Sequence, residues 1–194
     1  MSVSDAALPL YTVDEYFGLV DAGRPDPDAR VELLEGVVVE MSPSTPRHAA
    51  SVGLINRALR EAFGLEVRVG QPFIAGSRSG PEPDLAVVAG RPEEYVDRHP
   101  TEALLVVEVS VSSLPVDRLS KSRIYAAAGV PEYWIANLVE AVLEVHRDPD
   151  PVARIYRETS QLRAGQSITP LGAPGSSIDV ADLLPPSTGD SIDL

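Results

Sequence analysis

Apolar and polar positions along this chain recur with two different periods, and the switches between them outline its elements. Thr12-Val13-Asp14-Glu15 has the form of a capping box and predicts a short helix to about Val20. Asp21 to Asp28 carries glycine and proline and reads as a loop. Val31 to Met41 is strand-like, with Glu35-Gly36 in its middle as a tight hairpin turn. Ser42-Pro43-Ser44-Thr45-Pro46 turns into a second helix, where Leu54, Ile55, Ala58, Leu59, Ala62 and Phe63 share one wide apolar face; Gly64 ends it. Leu65 to Ile74 alternates as a half-buried strand, and Ala75 to Pro83 is a loop. Asp84 opens another apolar run, Leu85 to Ala89. Arg91 to Thr101 is polar, with room for one helical turn.

The centre of the pattern is Leu104 to Trp134. The run Leu104-Leu105-Val106-Val107 ends in a carboxylate, Glu108. A turn with Ser110, Ser112, Ser113 and Pro115 follows, then a helix from Val116 to Ala128 closed by Gly129, then a second apolar strand beginning near Tyr133. Strand, helix and strand in this succession predict a β-α-β unit with parallel strands and a right-handed crossover. Ala141 to His146 and Val152 to Glu158 flank Asp148-Pro149-Asp150-Pro151 as a closing hairpin. In the tail, Ile178 to Leu184 docks as a last element and residues 185–194 fray. With no repeat and no linker, the expectation is one domain over residues 1–194. Its class is α/β (α+β), a mixed sheet flanked by helices with antiparallel hairpins at its margins.

Composition narrows the chemistry. The chain of 194 residues is 44% hydrophobic and has no cysteine, which excludes disulfides and thiolate metal sites. No apolar run is long enough to span a bilayer, and MSVSDAALPLYT lacks the regions of a signal peptide, so a cytoplasmic location is the default. The formal net charge of -13 disfavours nucleic acid as a partner, since such a surface repels phosphate. It fits a divalent metal, a basic partner or plain solubility.

Three acids stand at strand edges or ends: Glu32, Asp84 and Glu108. Pro83 forces Glu82 out of helical geometry and stiffens the approach to Asp84. If the strands carrying Asp84 and Glu108 pair, both carboxylates reach one point, an arrangement that needs a proton or a cation and that suits magnesium. Lys121 lies on the following helix, with Asp117 one turn before it and Tyr125 one turn after. A lysine there orients water or stabilises charge on phosphate; the competing reading is a surface ion pair worth ~0.3–0.5 kcal/mol. A structural salt bridge competes in the same way for Glu108, and a capping or core role for His48. No histidine pair has zinc spacing, no phosphate loop or nucleophile elbow appears, and Tyr133-Trp134 reads as sheet packing.

These residues resemble the Uma-two family, a bacterial group with the restriction-endonuclease-like PD-(D/E)XK fold. The matching pieces are Val31-Glu32-Leu33-Leu34-Glu35-Gly36 with Met41-Ser42-Pro43, His48 ahead of a helix, Pro83-Asp84, Val107-Glu108-Val109-Ser110, Asp117 with Lys121 and Tyr125, and Gly129-Val130-Pro131-Glu132-Tyr133-Trp134. The resemblance implies metal-dependent phosphodiester cleavage, with Asp84 and Glu108 holding Mg²⁺ or Mn²⁺ and Glu32 as the acid of the first motif. The superfamily's lysine normally falls two residues after the second acid. Ser110 occupies that place, and Lys121 is the matching lysine, supplied from the next helix. His48, Asp117, Ser110 and Tyr125 would be accessory. Against this endonuclease reading stand a non-catalytic nuclease-fold module for partner binding or dimerisation, and a phosphodiesterase for small nucleotides. An exposed edge strand would favour a homodimer.

Overall fold

The computed structural model describes residues 10–24 and 29–186; of the expected fraying tail, residues 187–194 lie outside the described residues. Helix α1 (Val13–Asp21) starts in the expected capping box: Thr12 accepts from the Glu15 N–H, and the Glu15 carboxylate accepts from the Thr12 N–H. Strands β1 (Val31–Leu34) and β2 (Val37–Glu40) form a hairpin turned by Glu35 and Gly36, both at positive φ, as a tight two-residue turn requires. Helix α2 (Pro46–Phe63) has Thr45 as N-cap and ends on Gly64 in the left-handed conformation.

Then come β3 (Val67–Val69), β4 (Leu85–Val87), β5 (Leu105–Ser110), β6 (Glu132–Asn137), β7 (Val142–Asp150) and β8 (Ile155–Leu162), which form one six-stranded sheet in that spatial order. β5 and β6 are parallel and every other pair is antiparallel, so the sheet is mixed as expected. All six residues of β5 are buried, because successive side chains point to opposite covered faces. On one face Leu105, Val107 and Val109 pack with Trp134 of β6 and with Ile55 and Leu59 of α2. On the other, Val106 packs with Tyr133 and Ile135 and with Tyr125 and Ala126 of the crossover helix. Alternation therefore sends Glu108 to the crossover-helix side.

That crossover helix departs from the uninterrupted segment expected over Val116 to Ala128. It begins as α3 (Leu114–Val116), widens into a π-helical turn at Asp117–Lys121, and continues as α4 (Ser122–Ala127). The Ser122 N–H reaches the Asp117 carbonyl five residues back, and that carbonyl also accepts from Tyr133 Oη at 3.2 Å. A tertiary hydrogen bond thus sits at the widened turn, a form often found at functional sites.

Other elements shift for local reasons. The strand expected over Leu65 to Ile74 is only Val67–Val69, because Gly70 at φ 55° turns the chain away. The closing hairpin turns at residues 151–154 rather than on Asp148-Pro149-Asp150-Pro151. Asp150 starts the turn instead of lying within it: its Oδ1 accepts from the Val152 and Ala153 N–H groups. Pro149 stays in the β7–β8 ladder, beyond the last residue paired with β6, where its missing N–H is tolerated. Near the C-terminus β9 (Ser167–Ile168) and β10 (Ile178–Asp179) form a small hairpin that was not anticipated, and Ile178, Val180, Leu183 and Leu184 join the α2 side of the core. Among the described residues no helix is long and apolar enough to cross a membrane.

Candidate active site

The β4–β5 ladder pairs Ala86 with Val106 and Leu85 with Val107, so one step further on Asp84 comes level with Glu108 on the α4 face. Asp84 Oδ2 accepts from the Val109 N–H at 2.7 Å, which pins its carboxylate against β5. His48, on the first turn of α2, places Nε2 3.2 Å from the same oxygen, and its Nδ1 is 3.1 Å from Ser44 Oγ. The Asp84 hydrogen bond raises the His48 pKa, against a smaller opposing effect of burial.

Lys121 reaches the site from the π-helical turn. Its Nζ is 3.1 Å from Glu32 Oε1 on β1 and 3.1 Å from Glu108 Oε1. Tyr125, one turn later, donates to Glu108 Oε1 at 2.6 Å. Glu32 Oε2 accepts from the Glu82 N–H at 3.0 Å, which ties the first hairpin to the approach of β4. Lys121 and Glu32 are each 5% exposed, Glu108 3% and Asp117 1%. Burial opposes the charge on Lys121, but Glu108, Glu32 and Asp117 together outweigh it and raise its pKa. Burial pushes the Glu108 carboxyl well above its ordinary range, against the pull of Lys121. Asp117 shifts upward for the same reason, although Ser113 Oγ donates to it at 2.7 Å.

Glu32, His48, Asp84, Glu108, Asp117 and Lys121 therefore line one cavity of about 210 Å³. The surface ion pair considered for Asp117 and Lys121 is not what forms: both are buried, and the lysine's partners are carboxylates far away in sequence. Ser110 and Tyr125 are fully buried behind the cavity wall rather than on it. Ser110 Oγ lies 3.4 Å from Ser113 Oγ and so supports Asp117 indirectly. Ser44, Ser113 and Arg30 also line the cavity and were not singled out as site residues from the sequence. The available signal for the serines was spacing: each precedes a site residue, His48 or Asp117, by four positions.

The donor set bears on a cation. Carboxylates of Glu32, Glu40, Asp84, Glu108 and Asp117 outnumber Arg30 and Lys121 around the cavity. Among the described residues no hydrogen bond reaches Asp84 Oδ1 or Glu108 Oε2, and no three acidic or histidine side chains gather into a metal cage. Two free carboxylate oxygens in an acidic cavity fit a hard divalent ion that keeps most of its water.

A family model named Uma2, described as "Putative restriction endonuclease", matches residues 13–181. The crystal structure of a "putative nuclease belonging to DUF820" from Anabaena variabilis superposes with a TM-score of 0.64. It is 17% identical, over 89% of this chain and 97% of that one, so the likeness concerns the fold alone. No curated protein matches the chain.

Proposed function

The chain belongs to the Uma2 family, as its motifs implied, and on that premise we infer that it is a divalent-metal-dependent phosphodiester hydrolase, a nuclease acting on nucleic acid. The observation that carries this reading is the convergence of Glu32, Asp84, Glu108 and Lys121, from four separate stretches of the chain, on one cavity. Asp84 Oδ1 and Glu108 Oε2 would hold Mg²⁺ or Mn²⁺, which, when bound, supplies Lewis-acid activation of water and neutralises charge on phosphate.

This chain's own residues do the positioning. Val109 N–H and His48 hold Asp84 Oδ2, and Tyr125 and Lys121 hold Glu108 Oε1, which leaves the other oxygen of each carboxylate for a ligand. Lys121 has three ammonium protons and, among the described residues, two carboxylate partners, which leaves a proton for a phosphate oxygen or for water. Ser113, backed by Ser110, holds the Asp117 carboxylate, whose charge acts on that ammonium.

The test is hydrolysis of single- and double-stranded DNA and RNA with Mg²⁺ or Mn²⁺, with and without chelator. Asp84→Ala, Glu108→Gln and Lys121→Met should each lower metal-stimulated cleavage by ~100-fold or more. Equal cleavage by wild type and Asp84→Ala would refute the reading. A second reading, a phosphodiesterase for small nucleotides, is favoured by the net charge of -13 and by Arg30 being the only arginine among the described residues on the cavity wall. Cleavage of bis(p-nitrophenyl) phosphate or a dinucleotide without cleavage of polymers would select it.

A further inference from the structure

β8 is an edge of the sheet with no further strand on its outer side among the described residues, and it lacks most of the features that keep such edges solitary. The opposite edge, β3, is three residues long and is ended by Gly70. β8 is eight residues long, contains no proline, glycine or lysine, and exposes every side chain from Arg157 to Gln161. Among the described residues no strand pairs with its outer side, which leaves backbone donors and acceptors there for another strand. Arg157 does not guard it, since its guanidinium turns back onto its own hairpin, 2.8 Å from Asp150 and 3.5 Å from Asp148.

We propose that β8 pairs antiparallel with β8 of a second copy of this chain about a two-fold axis at Thr159, which extends the sheet without a break across a homodimer. The register follows from symmetry, charge and the length of strand that pairs; centred on Tyr156 or Gln161, too little of Ile155–Leu162 would pair. A two-fold axis normal to a sheet preserves its faces, so one residue must stand opposite itself and its neighbours pair outward from it. Centred on Glu158, the pairing opposes two carboxylates; centred on Arg157, two guanidinium groups. Centred on Ser160, it brings Arg157 level with Arg163. Centred on Thr159, it opposes threonine to threonine, Glu158 to Ser160 and Arg157 to Gln161, with no like charges level. This self-complementarity selects a second copy over an unrelated strand. The net charge of -13 on each chain opposes association at long range, but at about 0.15 M salt it is screened beyond about 8 Å. The inference is independent of the hydrolase reading.

The chain has no cysteine, so single cysteines report the register directly. Light scattering of the full chain at physiological ionic strength should give twice the 20.7 kDa of one chain. Thr159→Cys should become a disulfide-linked dimer on mild oxidation. Arg157→Cys should not, because its symmetry mate lies four positions out of register, about 13 Å away. Thr159→Lys and Thr159→Glu should each be monomeric alone and form a heterodimer when mixed. Circular dichroism identifies the folded variants; the replaced side chain is exposed in the monomer, and the side-chain contact it gives up is Thr159 Oγ1 at 3.3 Å from His146 Nδ1. A monomeric wild type, a dimer that Thr159→Lys leaves intact, or equal cross-linking at 157 and 159 would overturn the proposal.

Discussion

Replacing Lys121 by methionine tests the site through stability rather than turnover. Methionine keeps most of the packing volume of the lysine stem and removes the ammonium that lies 3.1 Å from both Glu32 and Glu108. At 5% exposure or less, the three groups have little water to take the cation's place. Removing one partner of a buried ionic group costs about 3–5 kcal/mol, because the remaining charges are left uncompensated. With a urea m-value near 2 kcal/mol/M, the unfolding midpoint should fall by about 1.5–2.5 M. Trp134, the single tryptophan, is fully buried and gives the fluorescence signal. The decisive comparison is Lys121→Met combined with Glu32→Gln and Glu108→Gln. Each glutamine keeps a carbonyl oxygen to accept from the Glu82 N–H or from Tyr125 Oη. The triple variant should recover to within about 1–2 kcal/mol of wild type, since neutralising a whole buried ionic group is far cheaper than breaking it. A midpoint shift below about 0.5 M for Lys121→Met, or a triple variant weaker than the single one, would refute the claim that the ammonium is the counter-ion of both carboxylates.

Tyr125→Phe keeps the ring in the core but removes the 2.6 Å donor to Glu108; equilibrium unfolding should show a loss of about 1–3 kcal/mol. Glu144 is held below its ordinary pKa: burial works against this, but hydrogen bonds from Arg118 and Asn137 prevail. A carboxyl lowered in the folded state adds stability above its unfolded pKa of about 4.3, and that stability is lost as pH falls through the folded value. Glu144→Gln should therefore flatten the acid limb of the stability–pH curve below about pH 5, read from urea midpoints at each pH. Gly36→Ala should cost about 1–3 kcal/mol by thermal unfolding, since Gly36 sits at φ 87° and an added Cβ would lie 3.1 Å from Leu10 Cβ and 3.2 Å from the Tyr11 carbonyl oxygen.

Much of the fold was legible because it is written in local periodicity. The capping box at Thr12, the wide apolar face of α2 with Gly64 behind it, and the strand–helix–strand order around Glu108 each follow from spacing and propensity within about a dozen residues. Where the reading slipped, a hydrogen bond to a particular neighbour overrode the pattern. Asp150 took the head of its turn by accepting two backbone N–H groups, and Tyr133 reached the Asp117 carbonyl at the widened helical turn. The β9–β10 hairpin was missed because two-residue strands carry no period to detect.

The candidate site divides along the same line. Its residue types, the stiff extended approach to Asp84 and the acid ending an apolar run were visible in the letters, as was the family likeness. Which carboxylate oxygens are engaged, the sharing of Lys121 between Glu32 and Glu108, and the link from Ser44 through His48 to Asp84 were not. Glu32 and Lys121 stand on different elements, far apart along the chain, and no local rule couples them. Burial by the sheet and the crossover helix removes water from both, and only then does each become the other's necessary partner. Local chemistry supplied the groups; packing decided which charge meets which.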